Sequence, residues 1–112
     1  MMSLDDRKVI ERALRNGNVI QFEYYPNKVI PGVFRGIRRV IPLSLVNKGG
    51  KSYLFGIFYS GVSASGKIGG YRLYFTNNMY DVKRLNAAGK VVKQSKNFDR
   101  EILKIILEDL VE

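Results

Sequence analysis

The pattern of apolar and polar side chains along the 112-residue chain is helical at both ends and alternating in the middle. Apolar side chains at positions 9, 10, 13 and 14 recur with helical spacing, so the segment SLDDRKVIERALRNG is predicted to form a first helix. Ser3 is suited to cap its start, and Gly17 is suited to end it. From Phe98 the segment FDREILKIILEDLVE again has helical spacing and predicts a second helix, with Ser95 or Asn97 as its cap.

Between the two helices, apolar and polar residues alternate with the period of two that is typical of half-buried strands. We predict five strands, at residues 19–25, 37–46, 52–59, 71–75 and 79–85. Pro42 has no N–H group to donate, so its strand must lie at a sheet edge or be bulged near this residue. Gly49 and Gly50 predict a hairpin turn, whereas Asn77 and Asn78 fit either a tight turn or a kink in one long strand.

Short strands separated by glycines favour a strongly bent antiparallel sheet over a flat one. We therefore predict a mainly β, α+β fold: a small antiparallel barrel of about five strands, closed or nearly closed, flanked by one N-terminal and one C-terminal helix. The single domain would comprise a helix at 1–17, the barrel at 18–85, and a turn with the last helix at 86–112. Residues 28–36 and 60–70 are expected to be irregular, 86–89 to form the turn, and 91–92 are a candidate short strand.

The last helix is predicted to be apolar over more than half of its circumference, which is wide for a helix that lies on one core face. Its apolar side chains are Ile102, Leu103, Ile105, Ile106, Leu107, Leu110 and Val111. Two arrangements would cover them. The helix could wedge between the barrel and the first helix, or residues 102–111 could form a homodimer contact.

The composition restricts the chemistry that a functional site could use. An apolar fraction of 46% is ordinary for one globular core. The chain has no Cys and no His, which removes disulfides, zinc and iron–sulfur sites, thiol nucleophiles and the commonest general base. No apolar run approaches the ~20 residues of a spanning helix, and the start lacks a signal-peptide core. We expect a cytoplasmic, non-enzymatic protein with no cofactor, no metal and no membrane contact.

Positive charge is concentrated in the middle of the chain. The formal net charge is +9. Residues 17–85 contain ten basic side chains and only two acidic ones, Glu23 and Asp81, so this segment alone carries +8. Solubility needs no such clustering, whereas a basic surface on one part of a fold indicates a polyanionic partner.

Three motifs in this basic segment resemble those of the WYL domain family. RRVIPLSL at 38–45 is similar to the family's first strand motif, and SYL at 52–54 stands where an aromatic–Tyr–Leu tripeptide belongs. RLYFTNNM at 72–79 is similar to the last motif. The chain departs from the family where Ser52 replaces the aromatic residue, and where Phe75, Asn77 and Asn78 replace Arg, Asp and Arg.

The resemblance implies an Sm-like, SH3-type barrel. Family members commonly follow a winged-helix DNA-binding domain in bacterial transcription regulators, where the barrel senses a ligand, and the implied ligand class is single-stranded or other small nucleic acid. This chain has one helix before the barrel, so we expect a stand-alone barrel without a winged helix. A bacterial or phage origin fits this expectation.

A barrel face that binds single strands needs cations for the phosphates and aromatic rings for the bases. The side chains of Arg38 and Arg39 point to opposite faces of their strand, so only one of them can face the same side as Arg72. The resemblance selects Arg38. The candidate nucleic-acid contacts are Arg38, Arg72, Tyr53, Lys51, Lys48, Tyr74 and Asn78. Core packing is the alternative role for each tyrosine.

Two functional hypotheses follow. The first is a non-enzymatic regulatory module that binds single-stranded DNA or RNA, or a related anionic ligand, on a basic barrel face. The alternative is a protein–protein interaction module, such as a phage-like effector or an accessory subunit that acts on a host enzyme or regulator.

Overall fold

The computed structural model describes residues 2–27, 35–62, 70–88, 98–108 and 110–112. The first helix, α1, spans Leu4–Asn16. The Ser3 side chain accepts a hydrogen bond from the backbone N–H of Asp6, and Gly17 ends the helix in the left-handed conformation with φ 69°. The predicted first helix and both of its end signals are confirmed.

The described chain contains five strands in one antiparallel sheet, so the predicted fold class is confirmed. The strands are β1 (Asn18–Tyr24), β2 (Gly36–Lys48), β3 (Lys51–Gly61), β4 (Tyr71–Phe75) and β5 (Met79–Ala88), in the spatial order β4-β3-β2-β1-β5. Only the short 3-10 turn Thr76–Asn78 connects β4 with β5, although these strands lie at opposite ends of that order. The sheet therefore bends so that β4 and β5 approach each other at this corner, but it stays open because these two strands are not paired with each other. Asn77 and Asn78 form a tight turn.

Pro42 lies within β2, which is a central strand between β1 and β3. The pairing of β2 with β3 shifts its register between Pro42 and Ser44, so the bulge is the correct alternative and the edge position is wrong. The β2–β3 hairpin closes over Gly49 and Gly50 with φ values of 58° and 76°, as predicted.

The predicted end of the last strand is wrong. Ala88 pairs with Asn18, so β5 continues beyond Leu85 through most of the predicted turn, because β1 begins early enough to pair with it. Gly89, residues 28–34, 63–69 and 91–92, and both candidate caps of the last helix lie outside the described residues.

The second helix, α2, spans Phe98–Leu107, and the two helices belong to different apolar clusters. Ile10 and Ala13 of α1 pack in a cluster with β-strand residues that include Leu54. Ile102 and Ile105 of α2 pack with Phe55 instead. Neighbouring strand residues point to opposite faces, so α2 covers the outer face of β3 and β4, and the predicted wedge against the first helix is wrong.

Part of the apolar surface of α2 remains uncovered. Leu103 and Leu107 are 42% and 75% exposed, and Leu110, just beyond the helix, is 59% exposed. The homodimer contact through this surface stays a prediction. Neither described helix is long and apolar enough to cross a membrane.

Candidate anion-binding site

Arg38 points into the bent sheet and is completely buried, with an exposed fraction of 0%. It shares its face of β2 with Val40, a core residue. Its Nη1 donates to the backbone carbonyl of Gly36 at 3.0 Å, and its guanidinium carbon lies 5.3 Å from the centre of the Tyr24 ring. Arg39 faces the other way and donates from Nε to Gln21 at 3.1 Å. The choice of Arg38 over Arg39 therefore agrees with the geometry.

Arg72 approaches Arg38 from β4. Its guanidinium carbon lies 5.7 Å from the centre of the Phe58 ring, and its Nη1 donates to the backbone carbonyl of Tyr71 at 3.0 Å. The two arginines meet at one carboxylate: Arg38 Nη2 is 3.6 Å from Glu112 Oε1, and Arg72 Nε is 3.9 Å from Glu112 Oε2. We call Arg38, Arg72 and the space that Glu112 fills the arginine pocket.

Backbone contacts hold Glu112 in the arginine pocket. Its N–H donates to the carbonyl of Leu73 at 3.0 Å, and the Tyr24 hydroxyl donates to its backbone carbonyl. The Glu112 side chain is 5% exposed, so it has little contact with solvent. The sequence prediction missed this residue, because nothing in the local pattern separates it from the other acidic residues near the last helix.

Two buried tyrosines adjoin the arginine pocket. Burial raises the pKa of the Tyr24 hydroxyl, although the hydrogen bond that it accepts from the Phe75 backbone N–H acts in the opposite direction. Burial, followed by the negative charge of Glu112, raises the pKa of Tyr74 well above its usual value. Both hydroxyls are therefore neutral at physiological pH and can act as hydrogen-bond donors.

The lysines and one tyrosine of the predicted site lie at a separate place, the tip of the β2–β3 hairpin. Lys48 and Lys51 are exposed and pair across the turn. Lys51 Nζ lies 5.8 Å from the centre of the Phe75 ring, and that ring is 5.7 Å from the Tyr53 ring. We call these four residues the hairpin cluster. Gly56, which pairs with Arg72, lies five residues after Lys51 on β3. Lys51 and Arg72 are therefore about 17 Å apart along the strand direction.

Tyr74 and Asn78 occupy positions that differ from the predicted surface contacts. Tyr74 is 0% exposed and packs edge-to-face against Phe22 and Tyr24, so its ring cannot stack on an exposed base. Strand alternation in β4 directs it inward. Asn78 donates from Nδ2 to Asn27 Oδ1 at 3.0 Å, and its backbone carbonyl accepts from the Tyr25 N–H. Both contacts fix the corner between β4 and β5.

Two further pockets show how charge is distributed around the fold. A basic pocket of about 200 Å³ is lined by Lys8, Val9, Arg12 and Arg84. An acidic pocket of about 390 Å³ is lined by Asp6, Glu23, Tyr25, Tyr80 and Asp81, so it contains both acidic side chains of the basic middle segment. Within the described ranges, no group of three or more Asp or Glu residues could hold a metal ion.

The comparisons with known proteins agree with this architecture. A family model, the WYL domain, matches residues 7–83. The chain belongs to the WYL domain family. This match includes all three motifs on which the resemblance was based, and it suggests a regulatory ligand-binding module.

The fold is similar to that of a solved structure. This structure is the Proteasome accessory factor B/C (PafBC) of Arthrobacter aurescens, which matches this WYL domain with a TM-score of 0.59 and 15% sequence identity. The match covers 85% of this chain and 14% of the PafBC chain. The chain therefore spans only a small part of that protein's length, and the likeness concerns the fold. A sequence comparison with curated proteins gave no match.

Proposed function

We propose that this WYL domain is a non-enzymatic regulatory module that binds single-stranded nucleic acid. The arginine pocket carries the proposal, because two guanidinium groups from different strands converge on one buried carboxylate. Planar guanidinium groups match the geometry of carboxylates and phosphates, so a pocket that accepts one of these anions has suitable chemistry for the other.

The hairpin cluster supplies the second requirement for binding a single strand. Lys48 and Lys51 can contact phosphates, while Tyr53 and Phe75 form a partly buried aromatic surface beside them, where Tyr53 also packs against the apolar cluster of α2. Stacking of one base on an aromatic side chain contributes about 1–3 kcal/mol and depends little on the base sequence. The proposal therefore predicts binding that is sensitive to salt and tolerant of sequence.

A titration of fluorescently labelled single-stranded DNA and RNA at several salt concentrations tests this proposal. We expect micromolar or tighter binding that weakens as salt rises. The double substitution Lys48→Ala with Lys51→Ala should reduce the slope of log affinity against log salt by about 1.4, because each lost phosphate contact contributes about 0.7.

The control for this titration is Lys8→Ala with Lys83→Ala, which removes two exposed positive charges on α1 and β5. It should change the slope much less than the hairpin substitutions. Absence of binding at low salt, or equal slopes for the two double variants, would refute the proposed use of the hairpin cluster.

The exposed leucines near α2 favour a second candidate function, a protein-interaction module. Leu103, Leu107 and Leu110 leave apolar surface open to solvent. Capture of partners from a nuclease-treated bacterial lysate would distinguish the two functions. A stoichiometric protein that is retained by the unaltered chain and lost on Leu107→Ser would support this candidate over nucleic-acid binding.

A further inference from the structure

The arginine pocket is closed in this structure. Arg38 is 0% exposed and the Arg72 side chain is 14% exposed, so a nucleic acid in solvent cannot reach both guanidinium groups. The carboxylate of Glu112 lies against both of them and is itself 5% exposed. Any external anion that uses both arginines must therefore first displace Glu112.

The Leu110 N–H donates to the Ile105 carbonyl at 2.9 Å, which ties the start of residues 110–112 to α2. Glu112 is held at the other end. Outside the pocket, its backbone bonds to Leu73 and Tyr24, and its neighbour Val111 packs at the border of the α2 cluster. Leu110, the first residue of this segment, is 59% exposed. Local opening of a segment costs less free energy than unfolding of the whole domain. The five strands pair with one another and not with residues 110–112, so local opening of this segment need not disrupt the sheet.

We propose that Glu112 is an internal competitor that occupies a phosphate-binding subsite formed by Arg38 and Arg72. When residues 110–112 detach, an external phosphate group takes the place of the carboxylate and accepts hydrogen bonds from the same two guanidinium groups. The identification of that phosphate with a nucleic-acid backbone rests on the proposed function, whereas the subsite itself does not.

Competition of this kind lowers the apparent affinity of the unaltered protein. A ligand that binds only the open state has its dissociation constant divided by the fraction of molecules that are open. If about one molecule in ten is open, removal of the competing carboxylate strengthens binding about tenfold. The arginine pocket then responds to any partner or ligand that draws residues 110–112 away from the barrel.

Glu112→Gln tests the subsite directly, with inorganic phosphate as the probe. The substitution removes the charge and keeps the size of the side chain, which leaves two cations without their carboxylate. We expect phosphate to raise the melting temperature of this variant by about 5 °C relative to chloride at equal ionic strength, and to leave the unaltered protein nearly unchanged. Glu108→Gln, at an exposed position, is the matched control for loss of one negative charge.

A second measurement uses a labelled ten-nucleotide DNA strand with the same proteins. We expect Glu112→Gln to bind it about tenfold more tightly than either the unaltered protein or Glu108→Gln. If all three proteins bind the DNA with equal affinity, the role of Glu112 as a competitor is refuted, while the proposed function stays intact. No DNA binding by any of them, together with a phosphate-induced stabilisation of Glu112→Gln alone, would support the subsite and refute nucleic acid as its ligand.

Glu112→Asp covers the case in which the glutamine variant fails to fold because Arg38 has lost its buried counter-charge. Aspartate keeps the charge but is one methylene shorter, so its carboxylate should hold the two guanidinium groups less firmly. We expect DNA binding and phosphate stabilisation between those of the unaltered protein and a protein without the competitor. Values identical to those of the unaltered protein would overturn the proposal.

Discussion

At the scale of single residues, Tyr24 connects three parts of the molecule through one hydroxyl group. The hydroxyl accepts from the Phe75 N–H on β4 and donates to the backbone carbonyl of Glu112, while Tyr24 itself belongs to β1. Its ring also lies beneath the guanidinium of Arg38. Alternation along β1 predicts that Tyr24 shares a face with Phe22, but no local pattern indicates that its hydroxyl meets residues so distant in sequence.

The buried tyrosines predict how stability depends on pH. The pKa values of Tyr24 and Tyr74 in the folded protein lie above the usual 10.0, so the folded state retains protons that the unfolded state releases above that pH. The stabilisation is fully present below about pH 10 and is lost as the pH rises further. Melting temperatures measured from neutral to strongly alkaline pH should be flat and then fall.

Tyr24→Phe should make this alkaline decline less steep, because one of these two buried hydroxyls is gone. Tyr59→Phe, at a position that is 45% exposed, is the control and should keep the full decline. An alkaline decline that is identical in all three proteins would show that the buried tyrosines do not cause it.

At the scale of helices and strands, the local signals in the sequence are strong and most of them are correct. Ser3 and Gly17 bound α1, and two glycines close the β2–β3 hairpin, because each of these features depends on neighbouring residues alone. The end of β5 is different. Its last residues look like a turn by composition, yet β1 is available to pair with them. Pairing between distant strands therefore overrides the local preference.

The hairpin turn allows a prediction that depends on backbone conformation alone and not on side-chain contacts. Gly50 has φ 76°, and a β-carbon added to it would meet no atom within 4 Å. Gly50→Ala should therefore lower the free energy of unfolding by about 1–2 kcal/mol, the cost of holding an L-residue in the left-handed conformation.

Gly49→Asn is the matched control, since asparagine followed by glycine is favoured in two-residue hairpins. It should leave stability nearly unchanged in urea unfolding. Equal losses for the two variants would contradict the assignment of this turn.

At the scale of the whole molecule, the candidate site could be predicted only in part. The charge distribution and the family motifs identify Arg38 and Arg72 correctly as a pair on one side of the sheet. The alternation of strand side chains predicts which residues share a face of the sheet, but it does not predict which face is buried. It therefore could not predict that Arg38 and Tyr74 are buried. The hairpin cluster lies apart from the arginine pocket along β3 and also across the sheet, because Tyr53 shares the outer face with Phe55 whereas Arg72 shares the inner face with Tyr74.

We propose that single-stranded nucleic acid binds this WYL domain at the hairpin cluster and reaches the arginine pocket. The most direct test is an NMR titration of the isotopically labelled protein with a short single-stranded DNA, followed through backbone amide and arginine side-chain signals. We predict the largest shifts at residues 48–55 and 72–76 and at the Nε–H of Arg72. Shifts confined to the exposed leucines near α2 or to the pocket of Lys8, Arg12 and Arg84, or no shifts at all, would contradict the claim.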